Sequence, residues 1–189
     1  MHQSDFDELV ERFDDPARQE WQRIPEVIEL LGGLSGETVA DIGAGTGYFA
    51  FPMAEKANQV IAIDIDQRFL DLIDKRAAER TVTNVHTRLV SEDNPQLAAE
   101  EVNTAIIVNT YHHIHDREAY FAKVKAGLKS GGRLVVIDFA LKETPHGPPV
   151  EMRIGPDVVS KELTAAGFSI DRVEEELLPY QYILIATRQ

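Results

Sequence analysis

Four short apolar runs, residues 39–42, 60–63, 104–108 and 134–137, constrain this chain more than any other feature. Each is of strand length, nearly unbroken and rich in β-branched residues. A strand with one wet face alternates apolar with polar; an unbroken run marks a strand buried on both faces, as in a parallel sheet covered by helices. Between the runs the period is helical. Ile24, Val27, Ile28 and Leu31 form one apolar stripe that ends at Gly32-Gly33, with Pro25 early in the helix, where its missing N–H matters little. Phe69, Leu70, Ile73 and Ala77 form a second. Phe121, Val124 and Leu128 form a third, opened by Asp116 as N-cap and closed by Gly131-Gly132. Leu163, Ala166 and Phe168 suggest a fourth, broken at Gly167. Strands and helices in alternation imply right-handed crossovers and an α/β, doubly wound, open sheet.

At 189 residues the chain fits one domain, 1–189, long enough to bury a core without staples. Residues 1–31 form an N-terminal helical extension, and residues 141–156 a proline-rich loop after the fourth run. Such loops, at the carboxyl ends of strands, often line a substrate site. The absence of cysteine excludes disulfides, thiolate catalysis and cysteine-bound zinc. A net charge of −13 and the lack of any Lys/Arg-rich run argue against a nucleic-acid partner. An acidic N-terminus and the lack of a long apolar stretch point to a cytoplasmic protein with no membrane span.

The first run leads into a glycine-rich turn, Val39-Ala-Asp-Ile-Gly-Ala-Gly-Thr-Gly-Tyr-Phe-Ala50. Glycines permit positive φ and let backbone approach a ligand, and the next helix offers free N–H groups to a carboxylate or phosphate. A dinucleotide fingerprint needs its third glycine where Tyr48 stands, and no Gly-Lys-Ser/Thr follows to make a phosphate loop. What remains is an acid, Asp41, two residues before a G-x-G-x-G turn, with a second acid, Asp64, ending the next run. Asp41 could accept hydrogen bonds from an ammonium group. Asp64 could take both hydroxyls of a ribose, with Ile65 against an adenine face. Alone, either carboxylate could equally be a strand-end cap.

These residues resemble the first motif and the second-strand acid of the class I S-adenosylmethionine-dependent methyltransferases. Leu128-Lys-Ser-Gly-Gly-Arg-Leu-Val-Val-Ile-Asp138 is similar to their Leu-Lys-Pro-Gly-Gly motif, and Leu163-Thr-Ala-Ala-Gly-Phe168 to their late helix and turn. The resemblance covers residues 38–187, and the small-molecule, quinone-type branch is the nearest in character. It implies a Rossmann-like, seven-stranded, mostly parallel sheet in the order 3-2-1-4-5-7-6, strand 7 antiparallel, with residues 177–187 supplying the last hairpin edge. It also implies S-adenosyl-L-methionine as cofactor. Gly43, Ala44 and Gly45 would lie beside the methionyl part, with Tyr48 among the contacts and Asp64 on the ribose. After strand 3 the family usually has Gly-Asp; here Val90-Ser91 stands in that place, so Ser91 and Glu92 (or Asp93) would meet the adenine.

After the third run comes Asn109-Thr-Tyr-His-His-Ile-His-Asp116. Neighbouring histidines rarely converge on one ion, and a further ligand would have to come from His146, so no metal is expected. The segment resembles the His-His-x-x-Asp stretch after strand 4 of many small-molecule methyltransferases. By that resemblance Asn109 lies near the methionyl end, and Tyr111 and His112 face the acceptor. His112 and His113 are the candidate general bases, packing beneath the loop being the alternative for His113. A sulfonium carries its own activation, so the protein has chiefly to position a nucleophile and exclude water. The expected activity is methyl transfer to a small molecule held under the N-terminal helices, including Trp21, and the 141–156 loop. A non-catalytic S-adenosylmethionine-binding module and a nicotinamide-dependent dehydrogenase are the competing readings; Tyr48 speaks against the second.

Overall fold

The computed structural model describes residues 3–188; Met1, His2 and Gln189 lie outside the described residues. Three helices lead in, α1 (Gln3–Phe13), α2 (Arg18–Gln22) and α3 (Ile24–Leu30). Strands and helices then alternate: β1 (Thr38–Ile42), α4 (Ala50–Ala54), β2 (Gln59–Asp64), α5 (Gln67–Arg80), β3 (Val85–Leu89), β4 (Val102–Val108), α6 (Arg117–Gly127), β5 (Leu128–Phe139), α7 (Pro156–Ala165), β6 (Phe168–Glu174) and β7 (Gln181–Arg188). All seven strands join one sheet in the order β3-β2-β1-β4-β5-β7-β6. The first five strands pair in parallel, and β7 is antiparallel to both β5 and β6.

The unbroken runs are buried on both faces because each face has its own core. Val39, Val60, Ile106, Val135 and Ile137 pack with α3, α4 and α5 on one side. Ala40, Ile61, Ala105, Ile107, Leu134 and Val136 pack with α6 and α7 on the other. Successive side chains along a strand thus serve opposite cores, and neither face can carry a polar residue without a partner.

Three local expectations change. Leu128 opens β5 rather than closing α6: the chain passes straight from Gly127 into a strand whose Leu128 pairs with Val102, so Gly131-Gly132 lie within β5. Phe168 likewise opens β6, after α7 has ended at Ala165 and Gly167 has turned the chain at φ +88°. The sheet edge is β6, not residues 177–187. β7, with the apolar run Tyr182-Ile-Leu-Ile185, lies between β5 and β6, while β6 exposes Asp171 and Arg172 to water as an edge strand should.

Candidate functional site

The carboxyl ends of β1, β4 and β5 open into a cavity of about 570 Å³, floored by the glycine turn. The turn is hooked onto β2: the amides of Gly43 and Ala44 donate to the Ile63 carbonyl at 2.8 and 3.0 Å, and that of Gly45 to Asp64 Oδ2 at 2.9 Å. Gly43 holds φ +76°, and a Cβ there would fall 2.6 Å from Thr110 Oγ1, so glycine is needed for both conformation and space.

Asp41 lines this cavity and is only 2% exposed, yet its Oδ2 has no hydrogen-bond partner among the described residues, and neither has the buried hydroxyl of Thr46 beside it. Burial first, and then the charge of Asp64, push the Asp41 carboxyl up to about 7; Arg18 and the amide of Ala50 pull the other way. A buried carboxyl oxygen without a partner is costly to a fold and marks a place that a ligand completes.

The N-terminal extension is clamped over the turn. Arg76 of α5 bonds Asp14 with one side of its guanidinium and the Thr46 carbonyl with the other at 2.9 Å. Phe6 and Phe13 pack on Phe69, and a Cβ on Gly45 would lie 3.3 Å from the Phe13 ring. This docking brings Arg18 into the cavity. Its Nε donates to Gln22 Oε1 at 2.7 Å, one Nη bonds the Phe13 carbonyl, and the guanidinium lies 3.9 Å above the Tyr48 ring centroid. Burial lowers Arg18 to about 10, still cationic at neutral pH. Trp21, three residues on, lines the same cavity, stacked on His146 at 5.5 Å and tilted against Phe139 at 5.6 Å. Its Nε1 is buried with no partner among the described residues.

After β4, Asn109 turns the chain in the left-handed region at φ +54°, a conformation asparagine tolerates better than most residues. A single 3₁₀ turn, Tyr111–His113, follows. Tyr111 points down into the core: it is 0% exposed, stacked 5.0 Å from Phe121, and donates to Glu162 Oε2 at 2.7 Å. Glu162 is itself held by Arg117, at 2.7 and 2.9 Å. The expected place of Tyr111 beside an acceptor is therefore not the one it takes, because an aromatic and an ion pair lie beneath the turn to receive it. That orientation turns His112 and His113 to the cavity. His112 Nδ1 lies 3.0 Å from Oδ2 of Asp138, itself buried at the end of β5, whose Oδ1 accepts the Phe139 amide at 2.8 Å. Desolvation, and then His112, lower His113 below the ordinary histidine value.

The proline-rich loop forms the outer wall, through His146, Gly147, Pro148, Pro149 and Met152. Arg153, buried beneath it, holds its shape by donating to the carbonyls of Pro148 (2.8 Å), Ala140 (3.0 Å) and Lys142 (2.7 Å) and to Thr144 Oγ1 (2.8 Å).

Residues 39–132 match the protein family described as a methyltransferase domain. That matched half of the chain is a class I S-adenosylmethionine-dependent methyltransferase domain. Over 120 residues it is 30% identical to a demethylmenaquinone methyltransferase of Tropheryma whipplei (strain Twist), a match covering 64% of this chain and 48% of that protein. It is 27% identical over 120 residues to the ubiquinone biosynthesis O-methyltransferase of Acinetobacter baylyi, covering 63% and 48%. The chain spans about half the length of these two relatives. A solved S-adenosylmethionine-dependent methyltransferase from Aquifex aeolicus has the same fold, with TM-score 0.90, 24% identity and full coverage of both chains.

Of the site residues expected from the sequence, Asp41, Gly43, Ala44, Gly45, Tyr48, Asn109, His112, His113 and Trp21 line one cavity. Asp64 lies just behind the turn, its oxygens on the amides of Gly45 and Asp66 at 2.9 and 3.0 Å; burial raises its carboxyl above the usual range. Ile65 is 54% exposed beside it, and Ser91 and Glu92 are exposed after β3, Ser91 Oγ donating to Asp93 Oδ1 at 2.6 Å. These three stand outside the cavity. Arg18, Asp138 and Arg153 gave no signal in the sequence beyond their charge.

Proposed function

We propose that this chain transfers a methyl group from S-adenosylmethionine to a small acceptor, and that Asp41 and Arg18 together grip the amino-acid end of the cofactor. The observation that supports the reading is one cavity holding a buried carboxylate with an unpartnered oxygen and a guanidinium that senses its charge. An α-ammonium answers the first and an α-carboxylate the second. Once bound, the cofactor supplies a methyl group on a sulfonium and leaves as a thioether. The chain's own residues do the rest: Asp41 and Arg18 orient, Asp64 takes the ribose, and Trp21 with the 141–156 loop closes the acceptor side against water. The net charge of −13 supports a small molecule rather than a nucleic acid as acceptor. Among the described residues, no helix is long and apolar enough to cross a membrane.

Trp21 is the single tryptophan and lines the cavity, so its fluorescence reports binding. S-adenosylhomocysteine should titrate it saturably. Asp41→Asn and Arg18→Met should each weaken that binding about ten- to a hundredfold, the worth of a hydrogen bond to a charged group. Binding of 5′-methylthioadenosine, which lacks the amino-acid end, should not change. No binding to the wild type would overturn the proposal. Equal losses for both ligands would overturn the Asp41–Arg18 assignment.

A further inference from the structure

The same cavity that holds Asp41 and Arg18 is also lined by His112, Trp21, Phe139, His146 and Met152. Three features of it constrain the acceptor. The first is the pairing of His112 with Asp138. With Asp138 ionised its oxygen only accepts, so the 3.0 Å contact places the imidazole proton on Nδ1 and leaves the lone pair on Nε2. Among the described residues Nε2 has no partner, and His112 lines the cavity while Asp138 is buried behind it. The arrangement is that of a base held in one tautomer by a carboxylate. The second is Trp21 Nε1, a donor only, on a side chain 7% exposed and with no partner among the described residues. It asks for an oxygen on the ligand. The third is the wall: an indole, a phenyl ring, an imidazole and a thioether suit a flat ring better than a polar chain.

From these we infer that the acceptor is a planar phenol or enol bearing a second oxygen, methylated on its hydroxyl oxygen, with His112 Nε2 as base and Asp138 as the residue that positions it. This rests on the methyltransferase reading and deepens it. An imidazole base suits a hydroxyl as acidic as a phenol, whose pKa is about 10; an aliphatic hydroxyl is far too weak an acid. A neutral amine attacks through its lone pair and needs no base first. A cationic amine would face the sulfonium and the guanidiniums of Arg12 and Arg18. In the step, the hydroxyl proton passes to Nε2. The oxygen–methyl bond forms as the methyl–sulfur bond breaks, the bonding pair stays on sulfur, and the imidazolium then gives its proton to solvent. Asp138 and His113 are the titratable neighbours of His112, with Arg12, Arg18, Asp41 and His146 across the cavity and Tyr182 facing Asp138 from β7.

The test uses 4-nitrocatechol, whose colour reports its ionisation, with the full chain saturated in S-adenosylhomocysteine. The wild type should bind it and lower its apparent pKa by about one unit, through the imidazolium left at His112. His112→Asn should bind it without that shift, and Asp138→Asn should lose most of the shift by favouring the other tautomer. With S-adenosylmethionine and a series of substituted catechols, His112→Asn should lose about 10²–10⁴-fold in rate on the least acidic members and much less on those already ionised. Binding of the dye with unchanged ionisation, or transfer confined to amines or thiols, would overturn the inference. Failure of S-adenosylhomocysteine to bind at all would strike the underlying methyltransferase reading instead, and Trp21 fluorescence in the same samples separates the two cases.

Discussion

Replacing Asp41 with asparagine should make the empty protein more stable and the cofactor site worse. In the fold, burial pushes this carboxyl from its ordinary 3.8 up to about 7. Its folded pKa is raised, so between these values the folded state holds a proton that the unfolded state has lost. Stability therefore falls as pH rises through that window and stays low above it. At about 1.36 kcal/mol per unit, the shift amounts to an upper bound on the order of 4 kcal/mol at pH 8. Asparagine removes the charge but leaves a buried amide short of partners, which returns about 1–3 kcal/mol of that. A net gain of about 1–3 kcal/mol would raise Tm by roughly 3–10 °C in a chain of this size. Differential scanning calorimetry should show the gap at pH 8 and its near disappearance at pH 5, where wild-type Asp41 is itself neutral. In the wild type, S-adenosylhomocysteine affinity should fall about tenfold per pH unit below about 7, because the ammonium needs the ionised carboxylate; the variant should lack that dependence. A variant less stable at pH 8, or a Tm gap that ignores pH, would refute the account of Asp41.

Removing residues 2–20 tests the N-terminal extension: a mere lid would spare the cofactor, whereas loss of Arg18 should weaken S-adenosylhomocysteine about ten- to a hundredfold in calorimetry, and unchanged affinity would return the segment to a lid. Arg153→Met should strip donors from five oxygens in and beside the loop, lower Tm by a few degrees and raise hydrogen exchange across residues 141–155, with cofactor affinity within about twofold; an unchanged loop would contradict the role given to Arg153. Tyr111→Phe should lose only its bond to Glu162, about 1 kcal/mol by urea denaturation, and leave ligand binding intact; a large loss of binding would put Tyr111 back at the acceptor.

Strands β1, β2, β4 and β5 were legible because they are buried on both faces, so composition alone marks them, and strand order follows from a family whose motifs lie in sequence. Asp41 and the glycines were legible for the same reason: the turn's chemistry is local. What escaped depends on contacts between distant residues. Leu128 and Phe168 have the spacing to continue helical stripes, and only pairing with Val102 and Arg188 makes them strand residues. In a 3₁₀ turn adjacent side chains point different ways, and which one faces inward was settled by Phe121 and Glu162, 10 and 51 positions from Tyr111. Arg18 reaches the cavity only because Asp14 finds Arg76 and Phe13 finds Phe69. Asp138 closes a motif quoted for its glycines, and its partner lies on another strand's loop.

Calorimetric titration of the whole chain with S-adenosylmethionine at pH 7.5 bears most directly on all of this. The account predicts saturable binding at one site per chain, reduced at least tenfold in both Asp41→Asn and Arg18→Met. An absence of binding heat, or binding indifferent to both substitutions, would contradict it.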